Sequence, residues 1–113
     1  MLVVDDSAAV RTALGRMLGS HPHVRVLGVV GSVAEAVAVV GNLLPAVTVL
    51  DVSMPVQGGL GAVATLKLLH PAGRVVMYSL HDEPAYQRAA FREGADGYVM
   101  KDDPGGLLAA ICA

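Results

Sequence analysis

A single α/β domain, with a doubly wound five-stranded parallel sheet and helices on both faces, is the fold predicted for the 113-residue sequence. Two observations carry that expectation. Short apolar runs such as Thr48-Val-Leu50, just before Asp51, read as strands buried on both faces, because an amphipathic helix would place polar residues on a 3.6-residue period. Five such runs alternate with five segments of helical period, which implies parallel pairing and right-handed crossovers. The length suits one domain around one core, and 54% of the residues are hydrophobic.

The elements follow in order. Met1-Leu-Val-Val4 is the first strand and ends in Asp5 and Asp6. Ser7 stands at an N-cap position before a helix whose Val10, Leu14, Met17 and Leu18 share one face. His21-Pro22-His23 stops that helix, and residues 24–30 form the second strand. With no Cys or third His nearby, the two histidines read as an exposed turn rather than a metal site. Ser32, with Glu35 three positions on, is a capping-box signature opening a helix with Ala36, Val37, Val40, Leu43 and Leu44 on its apolar face. Pro45 ends it before the central strand. The glycine-rich segment 56–61 leads into a helix carrying Leu60, Val63, Leu66 and Leu69, and lacks both dinucleotide and P-loop spacing. Residues 75–78 are the fourth strand, ending in Ser79, itself an N-cap candidate. Asp82 and Glu83 lead a helix through Tyr86, Ala89, Ala90 and Phe91 that stops at Gly94. Gly97-Tyr-Val-Met100 is the fifth strand and ends in Lys101. Asp103 and Pro104 form an N-cap and N1 pair for a last helix with Leu107, Leu108 and Ile111. That helix has room for about two turns, so residues 1–113 are expected to be a piece of a longer protein.

Composition excludes several classes of function. A formal net charge of −2 with 16% charged residues provides no basic nucleic-acid footprint. The lone Cys112 rules out an internal disulfide framework and a cysteine zinc site, and reads as a small buried hydrophobe. No apolar stretch is long enough for a membrane span and no signal peptide precedes the first strand, so a cytoplasmic location is expected.

The strand ends hold the chemistry. Asp5 and Asp6, Asp51, Ser79 and Lys101 terminate strands one, three, four and five, and in a parallel sheet all these ends open on the same edge. Asp51 alone would read as a turn opener; the matching groups at the other strand ends change that reading. Three converging carboxylates need a cation, and hard oxygen ligands with open coordination suit Mg²⁺, which also binds phosphate. Lys101 offers a compact positive charge, Ser79 a hydroxyl donor, and a carboxylate can itself accept a phosphoryl group.

With these pieces in place, the chain resembles, over essentially its whole length, the receiver domain of two-component response regulators. The matching pieces are Val4-Asp-Asp6, Leu50-Asp-Val-Ser-Met-Pro55, Ser79, Gly94-Ala-Asp-Gly-Tyr98 and Lys101. Residues 93–102 are most similar to receivers that precede a helix-turn-helix domain of the LuxR type. The resemblance implies a flavodoxin-like fold, Asp51 as phosphoacceptor, and Mg²⁺ held by Asp6, Asp51 and the backbone carbonyl of Ser53, with Asp5 helping through water. It also implies Ser79 and Tyr98 as a switch pair, Lys101 as a contact of the phosphoryl group, and a histidine kinase as donor. DNA would be reached through a C-terminal domain and not by this one, no membrane is involved, and a homodimer through the last helix is compatible with the pattern.

Four positions depart from the family. Ala46 and Gly58 each stand where an Asp is usual, Leu80 replaces a common Ala beside Ser79 and is expected to narrow access to Asp51, and Asp102 replaces a common Pro. Two alternatives stay open. One is a receiver-like interaction module that signals without phosphate. The other is a Mg²⁺-dependent phosphohydrolase, disfavoured because residue 53 is Ser rather than the second Asp such enzymes place two positions after the nucleophile.

Overall fold

The structure, a computed structural model, describes residues 1–52 and 58–112. Ten elements alternate: β1 (Leu2–Val4), α1 (Ala8–Gly19), β2 (Gly28–Val30), α2 (Val33–Leu43), β3 (Val47–Asp51), α3 (Gly58–Leu69), β4 (Arg74–Ser79), α4 (Pro84–Arg92), β5 (Gly97–Met100) and α5 (Pro104–Cys112). The strands form one parallel sheet in the order β2-β1-β3-β4-β5. This is the flavodoxin-like (βα)5 arrangement. Strand order reverses at β1, so the crevice outside the carboxyl ends of β1 and β3 is the topological switch point where open α/β sheets bind ligands.

Strand alternation divides the core in two. Leu2, Val4, Leu50, Val75 and Met77 face Val33, Ala36 and Val40 of α2, Ala62, Val63 and Leu66 of α3, and Ala90 of α4. Val3, Val47, Val49, Val76 and Tyr78 face Leu14 and Leu18 of α1 and Leu107 of α5. Because both faces are covered, every residue of β1 and β3 is buried, which is why these strands read as unbroken apolar runs.

Local chemistry fixes the helix ends as the sequence predicts. Ser7 Oγ accepts from Val10 N–H, Ser32 Oγ accepts from Glu35 N–H, and Asp103 Oδ1 accepts from Gly106 N–H with Pro104 behind it. The α4 helix closes in a Schellman turn, with Ala95 N–H bonded to Ala90 O, Gly94 N–H to Phe91 O, and Gly94 at φ 109°. A Cβ at Gly94 would make only an ordinary contact with Lys67, so the penalty of Gly94→Ala is conformational. It should lower unfolding free energy by about 1–2 kcal/mol, measured as a lower urea midpoint with unchanged slope.

Several sequence expectations need correction. The second strand is Gly28–Val30 rather than residues 24–30, because its partner β1 has only three residues to pair with. Leu43 and Leu44 are exposed: Leu44 adopts the left-handed conformation at φ 47°, which ends the helical period that buries Val33, Ala36 and Val40. Leu69 and Phe91 are also exposed, the buried face of α4 being held by Ala90. Ser79 does not cap α4, whose N-cap is Glu83. Cys112 is exposed rather than buried. Among the described residues no helix is long and apolar enough to cross a membrane.

Candidate functional site

β1 and β3 run side by side with Val4 opposite Leu50, so Asp5 and Asp51 leave the sheet as neighbours. Asp5 is 2% exposed and Asp51 5%, while Asp6 turns to solvent. Carboxylate oxygens of all three lie within 4.8 Å of one another. Asp5 is held firmly: its Oδ1 accepts from Ser7 N–H at 2.9 Å, and its backbone carbonyl accepts from Arg11 Nη1 at 2.8 Å. A set of buried and half-open carboxylates suits a hard divalent cation, so the residues present fit Mg²⁺. Ser53, the predicted carbonyl ligand, lies outside the described residues.

Lys101 comes from the far side of the sheet. Its Nζ is 2.9 Å from Asp5 Oδ2 and 3.3 Å from Asp51 Oδ1, and its backbone N–H donates to Ser79 O. Burial opposes its charge, but the hydrogen bond to Asp5 and the charges of Asp51 and Asp5 outweigh it, raising its pKa. Burial likewise raises the phenols of Tyr78 and Tyr98, partly opposed by Lys101 and by hydrogen bonding with Ser79 respectively. All three groups hold their protons to higher pH folded than unfolded, so the stability they contribute is complete below about pH 10 and is lost as pH rises through the folded-state values. The thermal midpoint should therefore hold steady from pH 8 to 10 and fall above it, and Tyr98→Phe should make that fall shallower.

Ser79 is fully buried at the end of β4, and its Oγ accepts from His81 N–H at 2.8 Å. Tyr98, on β5, is half-buried against the α2–α4 side of the core, and its hydroxyl donates to His81 O at 2.7 Å. Ser79, Asp5, Asp51 and Lys101 are thus brought together, with Tyr98 tied to Ser79 both by hydrogen bonding and through the His81 main chain. Leu80 is 75% exposed, so its side chain extends into solvent. Gly58 opens α3, Asp102 is exposed, and Ala46 lies at the opposite end of β3 from Asp51.

Three contributors were not found from the sequence. Arg11 braces the Asp5 main chain. His81 bonds to both Ser79 and Tyr98. Asp96 Oδ2 accepts from Val75 N–H at 2.8 Å and from Lys67 Nζ at 3.0 Å, tying α3 to β4 below the site. Asp96 lies within the Gly94–Tyr98 motif, which was the available signal; the Arg11–Asp5 and Tyr98–His81 bonds span six and 17 residues with no local pattern.

The family model described as response regulator receiver domain matches residues 1–112. The chain is 38% identical over 109 residues to the DNA-binding transcriptional activator DevR/DosR of Mycobacterium tuberculosis, covering 96% of this chain and 50% of that protein. It is 30% identical over 112 residues to the nitrate/nitrite response regulator protein NarL of Escherichia coli strain K12, covering 98% and 52%. Among solved structures, a LuxR-family two-component response regulator from Aurantimonas sp. SI85-9A1 superposes with a TM-score of 0.92 at 31% identity, covering 97% of this chain and 79% of that one. The chain spans about half the length of the curated relatives it matches.

Proposed function

Because the chain belongs to the response regulator receiver domain family, close to the NarL and LuxR-type regulators, we propose that it is a cytoplasmic phosphorylation-dependent switch in which Asp51 accepts a phosphoryl group from a histidine kinase. The observation that carries this reading is the clustering of Asp5, Asp6 and Asp51 within 4.8 Å, with Lys101 Nζ 2.9 Å from Asp5 and 3.3 Å from Asp51. Mg²⁺, held by Asp6, Asp51 and the Ser53 carbonyl with Asp5 in support, would supply the positive charge that lets an anionic donor approach three carboxylates.

The chain's own residues do the rest. An Asp51 oxygen forms the new bond to phosphorus as the bond to the kinase imidazole nitrogen breaks, and the leaving electron pair stays on the ring. Lys101, already oriented by its backbone bond to Ser79 O, meets one phosphoryl oxygen, and the Ser79 hydroxyl donates to another. Drawing Ser79 toward Asp51 alters its bond with His81 and so the seat of Tyr98, which reshapes the α4–β5–α5 face as a shift between two populations. Hydrolysis of the acyl phosphate resets the switch. The chain takes part in one phosphotransfer and does not turn over external substrates. Its output is exerted by a C-terminal DNA-binding domain, in keeping with relatives about twice its matched length.

Intact-mass spectrometry after incubation with acetyl phosphate, with and without Mg²⁺, tests the proposal. One Mg²⁺-dependent adduct is expected. A folded, Mg²⁺-binding protein that takes none would favour an interaction module that signals without phosphate.

A further inference from the structure

His81, in the segment between β4 and α4, makes contacts in four directions. Its backbone N–H donates to Ser79 Oγ at 2.8 Å, and its backbone carbonyl accepts from the Tyr98 hydroxyl at 2.7 Å. Its ring stacks on Tyr86 of α4, with centroids 4.2 Å apart and planes 12° from parallel, and its Nδ1 is 3.5 Å from Glu83 Oε2. Both flanking residues, Leu80 and Asp82, are exposed. The half-buried ring is therefore what anchors this part of the loop, and the Glu83 contact, more than half open to solvent, adds little.

We propose that His81 is a positioning residue of the switch, whose ring, stacked on Tyr86, fixes to α4 the peptide groups that hold Ser79 and Tyr98. The inference rests on reading Ser79 and Tyr98 as the switch pair. Its consequence is coupling. Ser79 cannot move toward Asp51 without pulling on the His81 peptide, and that peptide also holds the Tyr98 hydroxyl and is tied through the ring to α4. His81 thus passes a displacement at the site to α4, and to β5 alongside the direct hydrogen bonding of Ser79 with Tyr98.

The test uses ring-labelled tyrosine NMR on the whole chain. Its three tyrosines, Tyr78, Tyr86 and Tyr98, can be assigned by Phe substitution. Tyr78 packs on the opposite face of the sheet, with its hydroxyl donating to Lys101 O, and reports whether the fold is intact. Without any phosphodonor, His81→Ala should shift the Tyr86 and Tyr98 signals while Tyr78 stays in place, and His81→Phe, which keeps the stack but not the Glu83 contact, should bring both back. Tyr86→Leu, which removes the stack from the other side, should shift Tyr98 in the same way. Unmoved Tyr98 signals in His81→Ala, or a His81→Phe variant that behaves like His81→Ala, would overturn the proposal. With Mg²⁺ and beryllofluoride, Tyr86 and Tyr98 should move together in the wild type and independently in His81→Ala. A wild type that does not respond to beryllofluoride overturns the switch reading, while the donor-free spectra still decide whether His81 positions Tyr98.

Discussion

Asp51→Asn is expected to take no phosphoryl adduct from acetyl phosphate and, in the presence of a chelator, to melt above the wild type. Loss of the adduct follows because the amide is no nucleophile and the other two carboxylates of the cluster, Asp5 and Asp6, follow β1 rather than ending β3. The gain in stability is an electrostatic argument. Carboxylate oxygens within 4.8 Å repel by roughly 3.5 kcal/mol per pair at an effective dielectric near 20. Of the interactions described, the substitution removes two such repulsions and one attraction, the Lys101 contact at 3.3 Å, worth about 5 kcal/mol on the same scale. Lys101 keeps its closer partner Asp5 at 2.9 Å. The balance favours the variant by about 2 kcal/mol, and Mg²⁺ should add less to its melting temperature than to that of the wild type. An adduct that survives the substitution would move the acceptor to another residue. A chelated melting point below the wild type would mean that attraction to Lys101 dominates the cluster.

The features legible in the sequence are those that depend on short-range rules. β1 and β3 are buried on both faces, so they appear as continuous apolar runs, and their carboxyl ends locate Asp5, Asp6 and Asp51 without any knowledge of tertiary structure. The caps at Ser7, Ser32 and Asp103 are bonds across three residues and are equally visible. Periodicity failed where a helix end departs from helical geometry, as at Leu44, and where a small residue occupies the buried face, as Ala90 does while Phe91 is exposed. Pattern reading also cannot show that Arg74 at the start of β4 donates to Ala110 O at the end of α5, or that Asp96 bonds to Val75 N–H. These contacts connect segments far apart in the chain and fix how the helices are held, whereas the carboxylate cluster needed only the strand order. His81 lies between the two cases. It stands two residues after Ser79, but its importance comes from main-chain bonds to Ser79 and Tyr98 combined with a ring stack on Tyr86, a combination that its place in the sequence does not reveal.

Lys101→Met should have the opposite effect to Asp51→Asn. The side chain of Lys101 is 14% exposed, and those of its partners Asp5 and Asp51 are 2% and 6% exposed. Methionine preserves an unbranched stem and leaves two nearly buried carboxylates without a cation, a change that typically destabilises by 3–5 kcal/mol, or about that here. In chelator the order of melting temperatures should therefore be Asp51→Asn, wild type, Lys101→Met. Mg²⁺ held by the folded cluster alone, as proposed, would at a hundred times its dissociation constant stabilise by about 2.7 kcal/mol. Lys101 and the proposed Mg²⁺ neutralise the same carboxylate cluster, so removing the lysine should tighten Mg²⁺ binding, and the increment from Mg²⁺ should be largest in Lys101→Met. Calorimetric melts across a Mg²⁺ titration would show the three curves converging. If the increment were equal in Lys101→Met and wild type, the lysine and the ion would be acting on separate groups, and the cluster would not be the single electrostatic unit that its distances describe.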